Sequence, residues 1–271
     1  MPFLEVLILS LVQALTEFLP ISSSAHLYLA SKLFGEVYQG IIFDLGLHLG
    51  TLVAVLIYFR ADWRVFFDAS VAYARNPSAI SKLTPPQRQL FGIVVASIPV
   101  AAVGYVMSQT PGLVDSLRND TLIGVNLIWC SILMLFAQIY GSGNRDISNL
   151  SVRLMLLIGL TETLALMPGV SRSGITMTAA LLIGLPREQA ARFSFLLAVP
   201  ATAMAVGKGL FDMIRSPEAL GWGDFLLGAL LSGVFGLVVI HYFMALIKKI
   251  GLMPFIVYRV ALGTVLLLGI W

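Results

Sequence analysis

Apolar residues run through this chain in long unbroken blocks, not as stripes along one face of a helix or strand. Blocks of spanning length lie at roughly 42–59, 90–108, 120–140, 193–213, 224–247 and 252–271, each close to the ~20 residues a helix needs to cross a bilayer. They predict an all-α integral membrane protein with six transmembrane helices. Two further apolar stretches are interrupted. The first, 3–19, carries Gln13, Thr16 and Glu17 and stops at Pro20; the second, 154–167, carries Thr161 and Glu162 and stops at Pro168. Proline cannot continue a helix and pushes the preceding residue out of helical geometry. Small polar residues follow both breaks, Ser22-Ser23-Ser24 and Ser171-Arg172-Ser173-Gly174, so the expectation is two re-entrant helical hairpins. Irregular backbone at membrane depth persists only where protein or a wet cavity satisfies its polar groups, so the two loops should meet or line one cavity.

Composition removes the soluble alternatives. Of 271 residues, 58% are hydrophobic and 11% charged, with a mean hydropathy of +0.93, whereas a soluble domain carries about 25% charged residues. A single membrane domain over 1–271 is expected. Cys130 has no cysteine partner in the chain, so no internal disulfide forms. The opening MPFLEVLILS bears Glu5 and no basic stretch before it, which argues against a cleaved signal peptide and keeps the first apolar segment in the mature protein.

Charge then orients the layout. If each hairpin returns to its own side, the six crossings alternate, and one side collects Arg60, Arg64, Arg75, Lys82, Arg88, Arg145, Arg153, Arg187, Arg192, Lys248 and Lys249. The other collects Lys32, Arg118 and Arg215. The positive-inside rule makes the first side cytoplasmic and turns both termini outward. Arg172, Lys208 and Arg259 fall within apolar segments.

The two halves, about 1–140 and 146–271, follow one plan. Leu15-Thr16-Glu17-Phe18-Leu19-Pro20 is matched by Leu160-Thr161-Glu162-Thr163-Leu164 with Pro168 after a short insertion, and serines follow both. Each half is a broken hairpin followed by three spans. Three is odd, so the second copy enters from the opposite face, giving an inverted-topology repeat whose interrupted helices build a site near the midplane.

Ionisable groups inside a bilayer are costly unless paired or hydrated, so those in the breaks are functional candidates. Gln13 and Glu17 are spaced i, i+4 and share a helix face, where both can reach one ion or phosphate; a polar helix contact is the alternative for Gln13. Ser22, Ser23 and Ser24 offer hydroxyls to phosphate oxygens at a helix start, although one of them can serve only as a cap. His26 beside them is an acid, base or orienter. In the second loop Arg172 supplies a permanently charged fork among Ser171, Ser173, Gly174 and Thr176, suited to bidentate phosphate binding; a plain ion pair with Glu17 or Glu162 is the alternative. Asp44 and His48 line the same cavity or form a local pair. His241 reads as structural, Lys208 and Arg259 can snorkel, and Tyr258-Arg259 can also help hold an anion. No zinc-binding His-Glu-x-x-His, Walker loop, dinucleotide fingerprint or nucleic-acid module is present in the sequence.

At these residues the chain resembles the undecaprenyl pyrophosphate phosphatase family, also called the bacitracin-resistance protein family. One family motif stands as Gln13-Ala14-Leu15-Thr16-Glu17-Phe18-Leu19-Pro20-Ile21-Ser22-Ser23-Ser24-Ala25-His26, and the other as Pro168-Gly169-Val170-Ser171-Arg172-Ser173-Gly174-Ile175-Thr176. The resemblance implies hydrolysis of a C55 polyprenyl pyrophosphate to the monophosphate carrier used for peptidoglycan, in the bacterial cytoplasmic membrane, with the active site on the outer side and a divalent cation, Mg²⁺ or Ca²⁺. Glu17, Ser23, His26 and Arg172 match the family's catalytic positions, with Ser23 the candidate nucleophile. Glu17 and Gln13 are the candidate metal ligands. Gln13, Ser22, Ser24, Ser171, Ser173, Gly174, Thr176 and Arg259 are the candidate substrate contacts. Many members carry Glu at the Gln13 position and Thr-Gly where this chain has Ser24-Ala25, so the first departure removes a possible metal carboxylate. The expected partners are the polyprenyl pyrophosphate, membrane lipid and a second copy of the chain as a homodimer, with no nucleic acid. A rival reading of the inverted repeat is a polyprenyl-phosphate flippase or small-anion transporter.

Overall fold

The computed structural model describes residues 1–34, 41–75, 83–110, 112–215 and 222–270. They form helices and no strands: α1 Phe3–Phe18, α2 Ser23–Phe34, α3 Ile41–Tyr58, α4 Arg60–Arg75, α5 Pro85–Ser108, α6 Leu113–Ser116, α7 Asp120–Tyr140, α8 Val152–Glu162, α9 Arg172–Ile183, α10 Arg187–Arg215, α11 Trp222–Ile250 and α12 Met253–Leu268. Local chemistry sets the ends. Asn119 accepts from the Leu122 amide and Ser151 from the Leu154 amide, capping α7 and α8. Gly184, at φ 107°, closes α9 in the left-handed conformation.

The span count differs from the expectation of six. Four helices, Pro85–Ser108, Asp120–Tyr140, Arg187–Arg215 and Trp222–Ile250, are long and apolar enough to cross, and a fifth is added if Ile42–Tyr58 and Arg60–Arg75, bent by 76°, count as one span. The 42–59 block ends at this bend, and the α3 it predicts is only 18 residues long. The last block becomes the 16-residue α12, ~24 Å long and shorter than a ~30 Å hydrocarbon core. Residues 60–75, which lie between two of the expected spans, form the helix α4. Lys82 and Trp271 lie outside the described residues.

Leu226, Leu230, Val234 and Val238 form an exposed stripe along α11, and Ile132, Phe136 and Ile139 form another on α7. Such surfaces suit lipid and not water, and with the span lengths they make this a multi-pass membrane protein. Inside, α11 packs on α1 and α3, α5 packs on α8 and α10, and α7 lies against α12. Two of these contacts bring backbones together. A Cβ at Gly50 would lie 2.1 Å from the Ala229 carbonyl oxygen, and one at Gly159 would lie 2.0 Å from that of Ala96. Small residues permit this close approach where no hydrophobic effect drives helices together.

Polar ties gather at the two ends of the bundle. At one end Arg192 pairs with Asp62, and Lys248 lies 2.6 Å from Glu188. At the other, Lys32 pairs with Asp120 at 2.8 Å, and the Met1 amino group with Asp224 at 2.6 Å. The chain folds back after α9, where the Arg145 amide donates to the Gly184 carbonyl at 2.9 Å, a few residues ahead of the start of α8.

Candidate active site

The two breaks meet. After α1, Leu19 is extended and Ser22 stands at φ 81°, immediately before α2; after α8, Ser171 stands at φ 72°, immediately before α9. Positive φ is costly for a residue with a Cβ and is held only where the surroundings enforce it. Each corner aims the first turn of a helix, with its unpaired amides and positive dipole end, into the protein interior.

Glu17, the penultimate residue of α1, is where the two halves touch. Its side chain is 7% exposed, and Oε1 accepts from the Arg172 guanidinium, whose side chain is 22% exposed. Its other oxygen, Oε2, accepts from the Ser23 hydroxyl at 2.6 Å and from the Gln13 amide nitrogen at 3.3 Å. His48 Nε2 of α3 lies 3.7 Å from the same oxygen. Arg172 also donates to the Thr202 hydroxyl and, at 3.4 Å, to the Ala198 carbonyl, both on α10. A cleft opens on this cluster. Its polar wall includes Glu17, Arg172, Ser173 and Thr202, and its apolar wall includes Leu52, Val55, Phe195 and Val199. Such a cleft can hold a phosphate head against fixed charge while apolar groups meet an attached chain.

The remaining hydroxyl candidates and Gly174 occupy four different settings. Ser173, which lines the cleft, donates to the Leu19 carbonyl at 3.3 Å. Ser22 and Ser24 share a hydrogen bond of 3.1 Å, and Ser24 Oγ also accepts from the Gly169 amide at 3.2 Å, a second tie between the loops. Ser171 caps α9 by accepting from the Gly174 amide at 3.2 Å, so both residues are engaged within the loop. Thr176 is fully buried and bonds Ser194 of α10 at 2.6 Å, directly behind the cleft wall that Ser194 lines.

His26 is not bonded to Ser23 or Glu17. Its Nδ1 meets the Ser22 carbonyl at 2.8 Å and its Nε2 meets the Tyr258 hydroxyl at 2.7 Å. A carbonyl only accepts, so Nδ1 carries the hydrogen, and in the neutral ring the tyrosine donates to Nε2. Arg259, expected to snorkel or to help hold an anion, is fully buried. Its guanidinium donates to Ser131 Oγ at 3.1 Å and to the carbonyls of Pro20 at 3.4 Å, Gly169 at 3.1 Å and Val170 at 3.1 Å. One arginine therefore binds the backbone of both loops from behind. The structure thus gives it the position of a clamp on the two loops.

Several participants were not singled out from sequence. Thr202 and Ser194 sit on α10 with no local signature. Asn126 is a polar residue in the apolar run of α7, a readable signal; its amide donates to the Pro168 carbonyl at 2.7 Å. Glu162, the counterpart of Glu17 in the internal match, is fully buried, and neither carboxyl oxygen has a hydrogen-bond partner.

A divalent cation can be tested against the residues present. Among the described residues no group of three or more His, Cys, Asp and Glu side chains converges. Mg²⁺, however, is commonly held by only one or two carboxylates together with substrate phosphates. Gln13 Oε1 is buried and receives no hydrogen bond, and its amide lies against Glu17. The nitrogen of that amide faces the carboxylate; with the amide turned over, its unsatisfied oxygen and Glu17 would fit a hard cation.

Residues 6–265 match the family model described as bacitracin resistance protein BacA. The chain is 42% identical over 273 residues to an undecaprenyl-diphosphatase of Nitrosococcus oceani, covering 98% of each chain. It is 40% identical over 272 residues to one of Thioalkalivibrio sulfidiphilus and 38% identical over 270 residues to one of Chromohalobacter salexigens, with full coverage of both chains in each case. With both motifs meeting at one cleft and similarity running nearly end to end, this chain belongs to the BacA bacitracin-resistance family.

Proposed function

We propose that the protein is an undecaprenyl-diphosphatase, removing the terminal phosphate from a C55 polyprenyl pyrophosphate to leave the monophosphate. The observation that carries this reading is the Ser23 hydroxyl on Glu17 Oε2, with Arg172 on the opposite oxygen of the same carboxylate. A nucleophile, its proton acceptor and a phosphate-binding cation are thereby within reach of one another. The carboxylate orients the hydroxyl and takes its proton as Ser23 Oγ bonds to the terminal phosphorus and the bridging P–O bond breaks. The polyprenyl monophosphate leaves as an anion. Water then attacks the phosphorus of the phosphoserine and the P–Oγ bond breaks, releasing inorganic phosphate; the proton of the water goes to solvent while Glu17 returns the first proton to Ser23 Oγ. Arg172 exchanges the carboxylate for phosphate oxygens and holds the charge that builds there. Glu17 and Gln13 would hold Mg²⁺ or Ca²⁺, which when bound neutralises part of the diphosphate charge. His26, bonded to Tyr258, handles protons at the loop margin.

The membrane architecture we infer has six crossings and two re-entrant hairpins, α1–α2 and α8–α9, in inverted halves of about 1–140 and 146–271. The pairing of α11 with α1 and α3, mirrored by α5 with α8 and α10, supports it, as do the twin corners at Ser22 and Ser171. In the bacterial cytoplasmic membrane, the end bearing Arg192, Lys248 and Lys249 faces the cytoplasm. The termini and the cleft mouth then face outward.

Phosphate release by purified protein in detergent, from C15 and C55 diphosphates, tests the function. Wild type should release phosphate and Arg172→Ala should release little. A carrier would release none, because detergent leaves no gradient to use.

A further inference from the structure

His48 stands one turn before Thr51 and Leu52, so it extends the α3 wall of the cleft toward Glu17. Its ring is fixed on one side, where Nδ1 meets the Asp44 backbone carbonyl at 2.8 Å. That carbonyl accepts only, so Nδ1 carries the hydrogen and the neutral ring turns the Nε2 lone pair toward Glu17 Oε2, 3.7 Å away. The gap is too long for a hydrogen bond. The two atoms face each other across a gap that a metal ion can bridge, with ligand distances of about 2.1 Å to each atom. An imidazole that ligates metal through one nitrogen and donates the other N–H to a backbone carbonyl has the ordinary outer-shell arrangement of a metal-binding histidine. Independently, Gln13 Oε1 is buried without a donor on a side-chain amide whose nitrogen lies 3.3 Å from the same carboxylate oxygen, so rotating that amide by half a turn would offer its oxygen to an ion there.

We propose that His48 Nε2 is a ligand in the cation site of Glu17 and Gln13, a mixed nitrogen and oxygen site in which the imidazole contributes what the neutral Gln13 cannot. The inference rests on the phosphatase reading only for the role of the ion, not for its binding. A nitrogen ligand raises affinity for later first-row ions and does little for Ca²⁺, which prefers oxygen.

The test uses full-length, tag-free protein in detergent without substrate. Co²⁺ alone is titrated by its visible absorption bands, and Ca²⁺ alone by equilibrium dialysis. His48→Ala and His48→Gln should weaken Co²⁺ binding by about tenfold or more and change its spectrum, while Ca²⁺ binding shifts by less than about threefold. Glu17→Gln should lose both ions, and His241→Ala should alter neither. Wild-type Co²⁺ affinity and spectrum in a folded His48→Gln variant would overturn the assignment. So would absence of Co²⁺ binding to the wild type at about 1 mM, or equal loss of both ions on changing His48, which would make it only a support for Glu17. Phosphate release with His48 shown irrelevant to Co²⁺ leaves the phosphatase reading standing. A confirmed Co²⁺ site without phosphate release leaves this assignment standing instead.

Discussion

Ser22 and Ser171 both stand at positive φ, 81° and 72°, each one residue before the helix that carries the loop's charged or nucleophilic group. Ser23 and Arg172 thus open α2 and α9 from matching positions, and the strain at each corner sets the direction of the helix behind it.

The corner at Ser171 does two things at once, and substitutions separate them. Glycine accepts positive φ without strain but removes the hydroxyl that caps the Gly174 amide, whereas alanine keeps the strain and also removes the cap. Ser171→Ala should cost about 1 to 2 kcal/mol and Ser171→Gly only a few tenths. Thermal unfolding in detergent should place the glycine variant within a few degrees of wild type and the alanine variant clearly below it. The reverse order would mean that strain at this corner is unimportant.

The Arg172–Glu17 pair couples the two loops through one buried carboxylate. Removing the arginine alone strands a charge with little solvent, which costs more than the pair itself contributes. Arg172→Ala should therefore be more destabilised than Arg172→Ala combined with Glu17→Gln, with a coupling of about 1 to 3 kcal/mol in the double-mutant cycle. Phosphate release should be lost in all three variants. Additive stability effects would place the pair outside any shared electrostatic environment.

The breaks were legible because proline and clustered hydroxyls are discrete signals in an apolar chain, and the cost of leaving them unsatisfied implied that they meet. Gln13, Glu17, Ser23 and Arg172 do come together at one carboxylate. What could not be read depends on contacts between distant helices. Thr202 and Ser194 reach the site from α10, where nothing local marks them, and although His48 and Tyr258 could be picked out as polar residues in apolar runs, their partners Glu17 and His26 could not be. Helix extents were misjudged for a related reason: α10 and α11 run to 29 residues each, past their apolar blocks, since polar ends outside hydrocarbon remain helical. The Leu-Thr-Glu match between the halves, in turn, could not say that Glu17 would find hydrogen-bond partners while neither carboxyl oxygen of Glu162 would.

Ser23 should be indispensable if the covalent step is correct. Ser23→Ala retains Glu17 and Arg172 but removes the attacking oxygen, and loss of a nucleophile costs about 10³-fold or more in turnover. Single-turnover reaction in ¹⁸O water, with a search for phosphoserine, measures this directly. Near-normal turnover in the variant with no phosphoenzyme in the wild type would assign the attack to water.

Arg259 predicts a different phenotype from Arg172, although both are arginines beside the loops. Its fully buried guanidinium serves the carbonyls of Pro20, Gly169 and Val170 and the Ser131 hydroxyl together. Lysine brings a point charge with no planar fork, so it cannot serve that set and leaves buried carbonyls unpaired. Arg259→Lys should cost about 3 kcal/mol or more and lower stability and activity together. If it unfolds like wild type yet binds diphosphate poorly, the clamp assignment fails and a direct substrate contact takes its place.

Tyr258 tests whether the hydrogen bond to His26 matters to the reaction or only to the fold. Tyr258→Phe keeps the ring and removes the one hydroxyl bonded to His26 Nε2 at 2.7 Å, leaving Nδ1 on the Ser22 carbonyl. A half-exposed neutral bond of this kind is worth about 1 kcal/mol in stability. A proton-handling role is worth about 10² in rate. The variant should therefore lose about 10- to 100-fold in kcat, with KM for the C55 diphosphate within about twofold of wild type. Combined with His26→Ala it should lose no more than His26→Ala alone, because the tyrosine would act only through that imidazole. A full additional loss in the double variant would show that the hydroxyl has its own contact with substrate, and an unchanged kcat would reduce the pair to packing between α2 and α12.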